Sequence, residues 1–249
     1  MGRNRLFGKV RVVNGLEITE VEVHHTKREA WEHVMPLLVM MHEAGMFCAG
    51  GYPRIFVEPY VGADYGAPED IDFFGYHQKS WEEGLRVLIE ANWYVTEETD
   101  WSVRLKNPVV AEKLFGDRGF EINLVKDTNH HRYAAYGNPV DMLKRFDFIA
   151  TMAYIDMCGP APVIMLGDGY LDDIASGELR VNYLKDPHTM IRRAAKYAGK
   201  GFMIPMATII RVLATISDDE LEKYREYSAW YNGELDLTRP EISDLYRAF

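Results

Sequence analysis

Phe47-Cys-Ala-Gly-Gly-Tyr-Pro-Arg54, followed after a short insertion by Glu69-Asp-Ile-Asp-Phe-Phe74, joins two kinds of signal in one stretch. Met46 to Ala49 reads as a short buried strand, Gly50-Gly51 as a turn, and Pro53 as a first-turn residue of a helix. Ile71 to Phe74 reads as the next strand, so Asp70 and Asp72, one residue apart, leave the same face of it. Two ionised acids side by side repel one another, and a divalent cation removes that repulsion. Hard oxygen ligands at this spacing suit Mg²⁺, or Mn²⁺, bridging protein carboxylates and substrate phosphates. Backbone N–H groups at a glycine turn before a helix suit an anion. Together they point to phosphoryl or nucleotidyl transfer.

Outward from that stretch, Lys9 to Val13 and Glu17 to Val23 flank Asn14-Gly15, a type I′ hairpin signal. Thr26-Lys-Arg-Glu29 has the form of a capping box, and Trp31, Val34, Leu38 and Met41 recur at helical spacing until Gly45, with Pro36 a misfit among them. Ser80-Trp-Glu-Glu83 opens another helix. Trp93 to Thr96, Trp101 to Leu105, Phe120 to Val125, Phe146 to Ile155 and Val163 to Leu166 read as strands. Asn107-Pro108, Asn138-Pro139 and Asp186-Pro187 each place a cap before a proline whose missing N–H costs least there. From Asp186 onward the chain reads as helical, with capping boxes at Ser217 to Glu220 and Thr238 to Glu241. The expected architecture is α/β (α+β): a mixed-sheet domain over residues 1–180 and a helical annex over 181–249.

The 249 residues can bury a sizeable core, and no apolar run approaches the roughly 18 residues of a membrane span. No secretory core follows the basic start, so a cytoplasmic, soluble protein is expected. Cys48 and Cys158 lack the spacing of a zinc site and read as buried thiols. A formal net charge of −10 argues against a broad nucleic-acid surface, although Arg180, Lys185, Arg192, Arg193, Lys196 and Lys200 concentrate in one segment.

With these residues in view, the chain resembles the nucleotidyltransferase superfamily typified by DNA polymerase beta, most closely the head and neck of bacterial-type CCA-adding enzymes and poly(A) polymerases. Gly50-Gly51-Tyr52-Pro53-Arg54 is similar to the family's Gly-Gly-x-x-Arg-Asp, and Asp70-Ile71-Asp72 to its metal-binding Asp-x-Asp. Arg145-Phe146-Asp147-Phe148 and the residues to Tyr154 resemble its Arg-Arg-Asp segment, and Asp186 to Phe202 resembles its neck. Two positions depart from the pattern: Ile55 stands where the family has an acid, and Phe146 where it has an arginine. Likewise the family's base-reading Asp and Arg, three residues apart, correspond to Asp186 and Thr189, with Arg192 and Arg193 one turn on.

The resemblance implies a nucleotidyltransferase head with Asp70 and Asp72 as metal ligands and Asp147 as a further catalytic acid. Gly50, Gly51, Arg54, Arg145, Asp186 and Arg192 would then meet a nucleoside triphosphate. Glu121 competes with Asp147 for the third-carboxylate role, and Lys126 is another candidate phosphate cation. The implied acceptor is a hydroxyl at an RNA 3′ end, tRNA-like; a small molecule or protein hydroxyl, or a non-catalytic nucleotide- or RNA-binding role, stands beside it. His24-His25 and His130-His131 lack fixed ligand geometry. The Arg192, Lys196 and Lys200 stripe reads equally as a backbone track or as a solvated helix face.

Overall fold

In the computed structural model, residues 8–77, 79–117, 119–126, 137–159, 161–184 and 187–215 are described. The chain opens with β1 (Lys9–Val13) and β2 (Leu16–Val21), paired antiparallel with Val13 opposite Leu16. Asn14 and Gly15 both take positive φ, 51° and 77°, the geometry a type I′ turn demands. Helix α1 (Arg28–Glu43) follows, then β3 (Met46–Ala49) and β4 (Asp70–Gly75). Helix α2 (Ser80–Glu90), the hairpin β5 (Tyr94–Glu98) and β6 (Ser102–Lys106), α3 (Pro108–Phe115) and β7 (Glu121–Val125) come next. The remaining elements are α4 (Pro139–Leu143), β8 (Ala153–Asp156), β9 (Val163–Gly167), α5 (Tyr170–Ser176), α6 (Pro187–Gly199) and α7 (Met206–Leu213).

The strands form one nine-stranded mixed sheet in the order β1-β2-β9-β8-β3-β4-β7-β6-β5. Among the described strand pairs of the sheet β4–β7 alone is parallel, and its register sets Asp70 beside Glu121 and Asp72 beside Asn123. Along β4 burial alternates, with Ile71 and Phe73 at 0% exposure and Asp70, Asp72 and Phe74 less buried. Ile122 and Leu124 on β7 and Val103 and Leu105 on β6 repeat that alternation at 0%. One face therefore packs on α1 and α2, with α3 set against α1, while the other carries the polar rows.

Asn107 and Asn138 cap α3 and α4 as their sequences foretell: Asn107 Oδ1 accepts from Val109 N and Val110 N at 3.1 Å, and Asn138 Oδ1 from Val140 N at 2.9 Å. The other capping readings need correction. His24 Nδ1 lies 2.8 Å from Thr26 Oγ1 and holds that hydroxyl in a 3-10 turn, so α1 begins only at Arg28. Ser80 Oγ accepts from His77 N at 3.0 Å and faces backward, while the capping position is Lys79.

Phe146 to Ile155 is not one strand. Asp147 Oδ1 accepts from the next backbone N–H at 3.1 Å, and Thr151 Oγ1 donates to Phe148 O at 2.7 Å. These local bonds turn the chain, and only Ala153–Asp156 joins the sheet. Asp186, His130-His131 and the capping boxes at Ser217 and Thr238 lie outside the described residues. No described helix is long and apolar enough to cross a membrane. Cys48 is buried as expected, whereas Cys158 is exposed.

Candidate active site

A cavity of about 500 Å³ lies on the polar face of the sheet, between the glycine turn, the β4–β7–β6 rows and α6. Gly50 enters it from β3, its N–H donating to Ala153 O of β8 at 2.8 Å. Its φ of +92° belongs to the region glycine favours, and an added Cβ would stand 3.5 Å from Asp72 Oδ2. Gly51 has ordinary φ, but a Cβ there would lie 3.8 Å from the Tyr197 hydroxyl, so small residues at this turn let the backbone come close to both β4 and α6. The turn leads into a 3-10 segment, Tyr52–Phe56, and not into an α-helix. The cradle therefore depends on the turn's own backbone without a helix terminus behind it.

Asp70 and Asp72 line this cavity together. Asn123 Nδ2 donates to Asp72 Oδ1 at 2.7 Å, and Lys196 Nζ lies 3.7 Å from Asp70 Oδ2 and 3.8 Å from Glu69 Oε2. Burial, and next the charge of Asp70, push the Asp72 carboxyl up from 3.8 to about 6, against the pull of Asn123, Arg193 and Lys196. The donor set fits a hard divalent cation: two carboxylates crowded until one resists ionisation, oxygens only, and room for phosphate beside them. Among the described residues no group of three or more His, Cys, Asp or Glu side chains surrounds an ion site. The remaining ligands would be phosphate and water oxygens, the usual habit of Mg²⁺.

The other candidate acids are engaged elsewhere. Asp147 is 0% exposed, does not line the cavity, and pairs with Arg193 of α6, whose Nη2 donates to Asp147 Oδ1 at 3.2 Å. It thus anchors α6 to the sheet domain. Glu121 lies beside Asp70 in register but its Oε1 is 2.6 Å from Lys106 Nζ. In the position next to Asp72, where a third carboxylate would be sought, the strand presents Asn123.

The cations divide in the same way. Arg54 reaches the cavity wall at only 2% exposure, pairs with buried Glu58 and donates to Gly66 O at 3.3 Å, so its charge holds the 58–66 loop. Lys126 Nζ is 2.6 Å from Glu98 Oε1 and 3.0 Å from Thr99 O. Arg145 and Arg192 line the cavity and have no acidic partner among the described residues. Arg192, Lys196 and Lys200 all line it, so this stripe faces the acid pair; burial and Lys196 lower the Lys200 ammonium.

Several lining residues escape a motif-based reading, Asn123, Tyr197 and Trp101 among them. Asn123 is findable from the alternation of Phe120 to Val125, which puts Glu121, Asn123 and Val125 on one face. Tyr197 follows Arg193 by one turn; burial pushes its hydroxyl up to about 12, and its ring stands edge-on to Phe202 at 5.7 Å between centroids. Trp101, 47% exposed at the β5–β6 turn, carries no local signal of a site.

No protein-family model matches this chain, and no curated protein matches it. Among solved structures it is similar to a Thermotoga maritima CCA-adding enzyme complexed with tRNA, at 17% identity and a TM-score of 0.53, over 92% of this chain and 51% of that one. A tRNA nucleotidyltransferase complexed with a primer tRNA and an incoming ATP analogue aligns at 18% identity and a TM-score of 0.46, over 77% of this chain and 60% of that one. A CCA-adding enzyme with CTP aligns at 19% and 0.48, over 79% and 47%. At this identity the likeness to the Thermotoga maritima enzyme shows the fold alone, a mixed α/β fold similar to that structure's. The chain spans roughly half to three fifths of the length of these solved structures.

Proposed function

We propose that this protein is a metal-dependent nucleotidyltransferase, moving a nucleoside monophosphate from a nucleoside triphosphate to an acceptor hydroxyl. The observation that carries the reading is the pair Asp70 and Asp72 on one strand face, inside a cavity that a glycine turn and a cationic helix also line. Asp70 and Asp72 would hold Mg²⁺ or Mn²⁺, which when bound supplies charge stabilisation at the reacting phosphate and activates the attacking hydroxyl. Asn123 orients the Asp72 carboxylate and opposes its protonation. Gly50 and Gly51 allow the phosphates to approach the backbone, while Arg192, Lys196 and Lys200 supply countercharge. Asp147 acts through Arg193, fixing α6 against the cavity and so positioning those cations.

An RNA 3′ end is the first choice of acceptor, in keeping with the tRNA-bound CCA-adding enzyme to which this fold is similar. The net charge of −10 favours a protein or small-molecule hydroxyl as the second reading. Incubation with each α-labelled nucleoside triphosphate, Mg²⁺ and mixed small RNAs, with RNA and protein labelling read separately, tests both. Labelled RNA that disappears in Asp70→Ala and Asp72→Ala supports the first reading; labelled protein with unlabelled RNA supports the second. Equal labelling in wild type and both variants would sink nucleotidyl transfer at this site.

A further inference from the structure

Of the described α6 residues that line the cavity, Tyr197 alone carries no charge. Its ring stands edge-on to Phe202 at 5.7 Å and to Phe148 at 6.1 Å between centroids, and both of those rings are buried. Its carbonyl accepts from Lys200 N at 3.0 Å and from Phe202 N at 3.1 Å, tying the end of α6 to the segment that carries Phe202. A ring packed in this way offers its hydroxyl in one direction. That direction is the glycine turn: the hydroxyl stands 3.8 Å from where a Gly51 side chain would begin.

A buried phenol usually finds a hydrogen-bond partner. Among the described residues the Tyr197 hydroxyl has none, and neither has Gly51 N–H, although the N–H of Gly50 beside it donates to Ala153 O at 2.8 Å. Two unpaired donors, one from the turn and one from α6, therefore flank the same small gap. Burial pushes the Tyr197 hydroxyl up to about 12, so at neutral pH it keeps the proton it would donate.

The surroundings of the gap select an anion. Burial is the main influence on the Tyr197 hydroxyl and the Lys200 ammonium alike, and the charge of Arg54 reaches both, which puts the three in one corner of the cavity. Arg54 is engaged by Glu58, whereas Lys200 has no salt bridge among the described residues. The Asp72 carboxylate also acts on Tyr197, so a ligand in the gap lies within electrostatic reach of the acid pair. Converging N–H and O–H donors, an open ammonium and carboxylates that a cation would neutralise suit a phosphate group better than a neutral carbonyl.

We propose that Tyr197 is a phosphate-binding residue, its hydroxyl and Gly51 N–H donating to one phosphate group held between the turn and α6. A nucleoside triphosphate as the source of that phosphate rests on the nucleotidyl-transfer reading; the donor pair itself does not. Because one donor belongs to the sheet and the other to α6, a bound phosphate joins the two.

Isothermal titration calorimetry of the full chain in excess Mg²⁺, with pyrophosphate and a non-hydrolysable α,β-methylene ATP analogue as probes, tests this on wild type, Tyr197→Phe, Gly51→Ala and the double variant. Phenylalanine keeps the ring against Phe148 and Phe202. Gly51 has φ −77° and ψ −29°, which alanine adopts freely, and its methyl would meet the phenol at an ordinary contact distance. Thermal melts of both single variants should therefore stay close to that of wild type. Wild type is expected to bind both probes. Tyr197→Phe should weaken each by about tenfold, one donor to a charged acceptor being lost, and Gly51→Ala by about tenfold or more, its methyl filling the gap. Donors to one phosphate are coupled, so the double variant should bind within about threefold of Gly51→Ala alone. Unchanged affinity for both probes in Tyr197→Phe, losses that multiply in the double variant, or no pyrophosphate binding by wild type would overturn the donor pair. A Tyr197 that served packing alone would show a lowered melting temperature at unchanged affinity, which also overturns it. Pyrophosphate binding with the expected sensitivities, while the analogue fails to bind, would remove the nucleotidyl-transfer reading and leave the phosphate site standing.

Discussion

Replacing Asp72 by Asn should stabilise the metal-free protein at neutral pH while abolishing its response to metal. The Asp72 carboxyl is raised from 3.8 to about 6, first by burial and then by Asp70. A carboxyl raised in the folded state favours folding when protonated, and that benefit is lost as pH rises from the unfolded value through the folded one. A shift of about two units corresponds to at most about 3 kcal/mol at pH 7.5, falling to roughly half of that at pH 5, with the open cavity reducing both. Asn keeps an oxygen acceptor for Asn123 Nδ2, so the 2.7 Å contact survives the change. Urea unfolding of wild type and Asp72→Asn without metal, at pH 5 and 7.5, measures the gap. The variant should be the more stable, by a larger margin at pH 7.5, and Mg²⁺ or Mn²⁺ should raise the melting temperature of wild type alone. A variant less stable than wild type at pH 7.5, or a gap independent of pH, would refute the crowded-acid argument.

Arg54→Ala should lower stability by about 3–5 kcal/mol, because it leaves the buried Glu58 carboxylate unpaired, and denaturant unfolding reads this directly. A stable variant defective only in nucleotide affinity would return Arg54 to the phosphates. Gly50→Ala should cost about 1 kcal/mol or more, since alanine strains the φ of +92° there; an unchanged melting temperature would contradict it. Removing charge from Arg192, Lys196 and Lys200 together should weaken triphosphate binding and flatten its salt dependence, read by titration at several ionic strengths. Unchanged affinity and slope would leave these side chains without a phosphate role.

How much of this is legible in the chain alone depends on the range of the interaction. Asn14-Gly15, Asn107-Pro108 and Asn138-Pro139 fold by contacts between near neighbours, and their turn and caps are visible in the sequence. So is the shared face of Asp70 and Asp72, because strand alternation is a property of the backbone itself. Thr26 and Ser80 mislead because the competing partners, His24 and His77, are just as local and the motif does not rank them.

The partners of the site residues are another matter. Asp147 and Arg193 are 46 residues apart and Asp72 and Asn123 are 51 apart, brought together only when α6 docks and when β4 lies parallel to β7. Asp147 and Glu121 read alike as third-carboxylate candidates in the sequence, where nothing displays Arg193 beside the one or Lys106 beside the other. The sequence by itself determined which residues are acidic, cationic or small and which strand face the acid pair shares. Only the tertiary structure decided which charges meet one another and which remain open to a ligand, because burial and strand order set the distances on which electrostatic pairing depends.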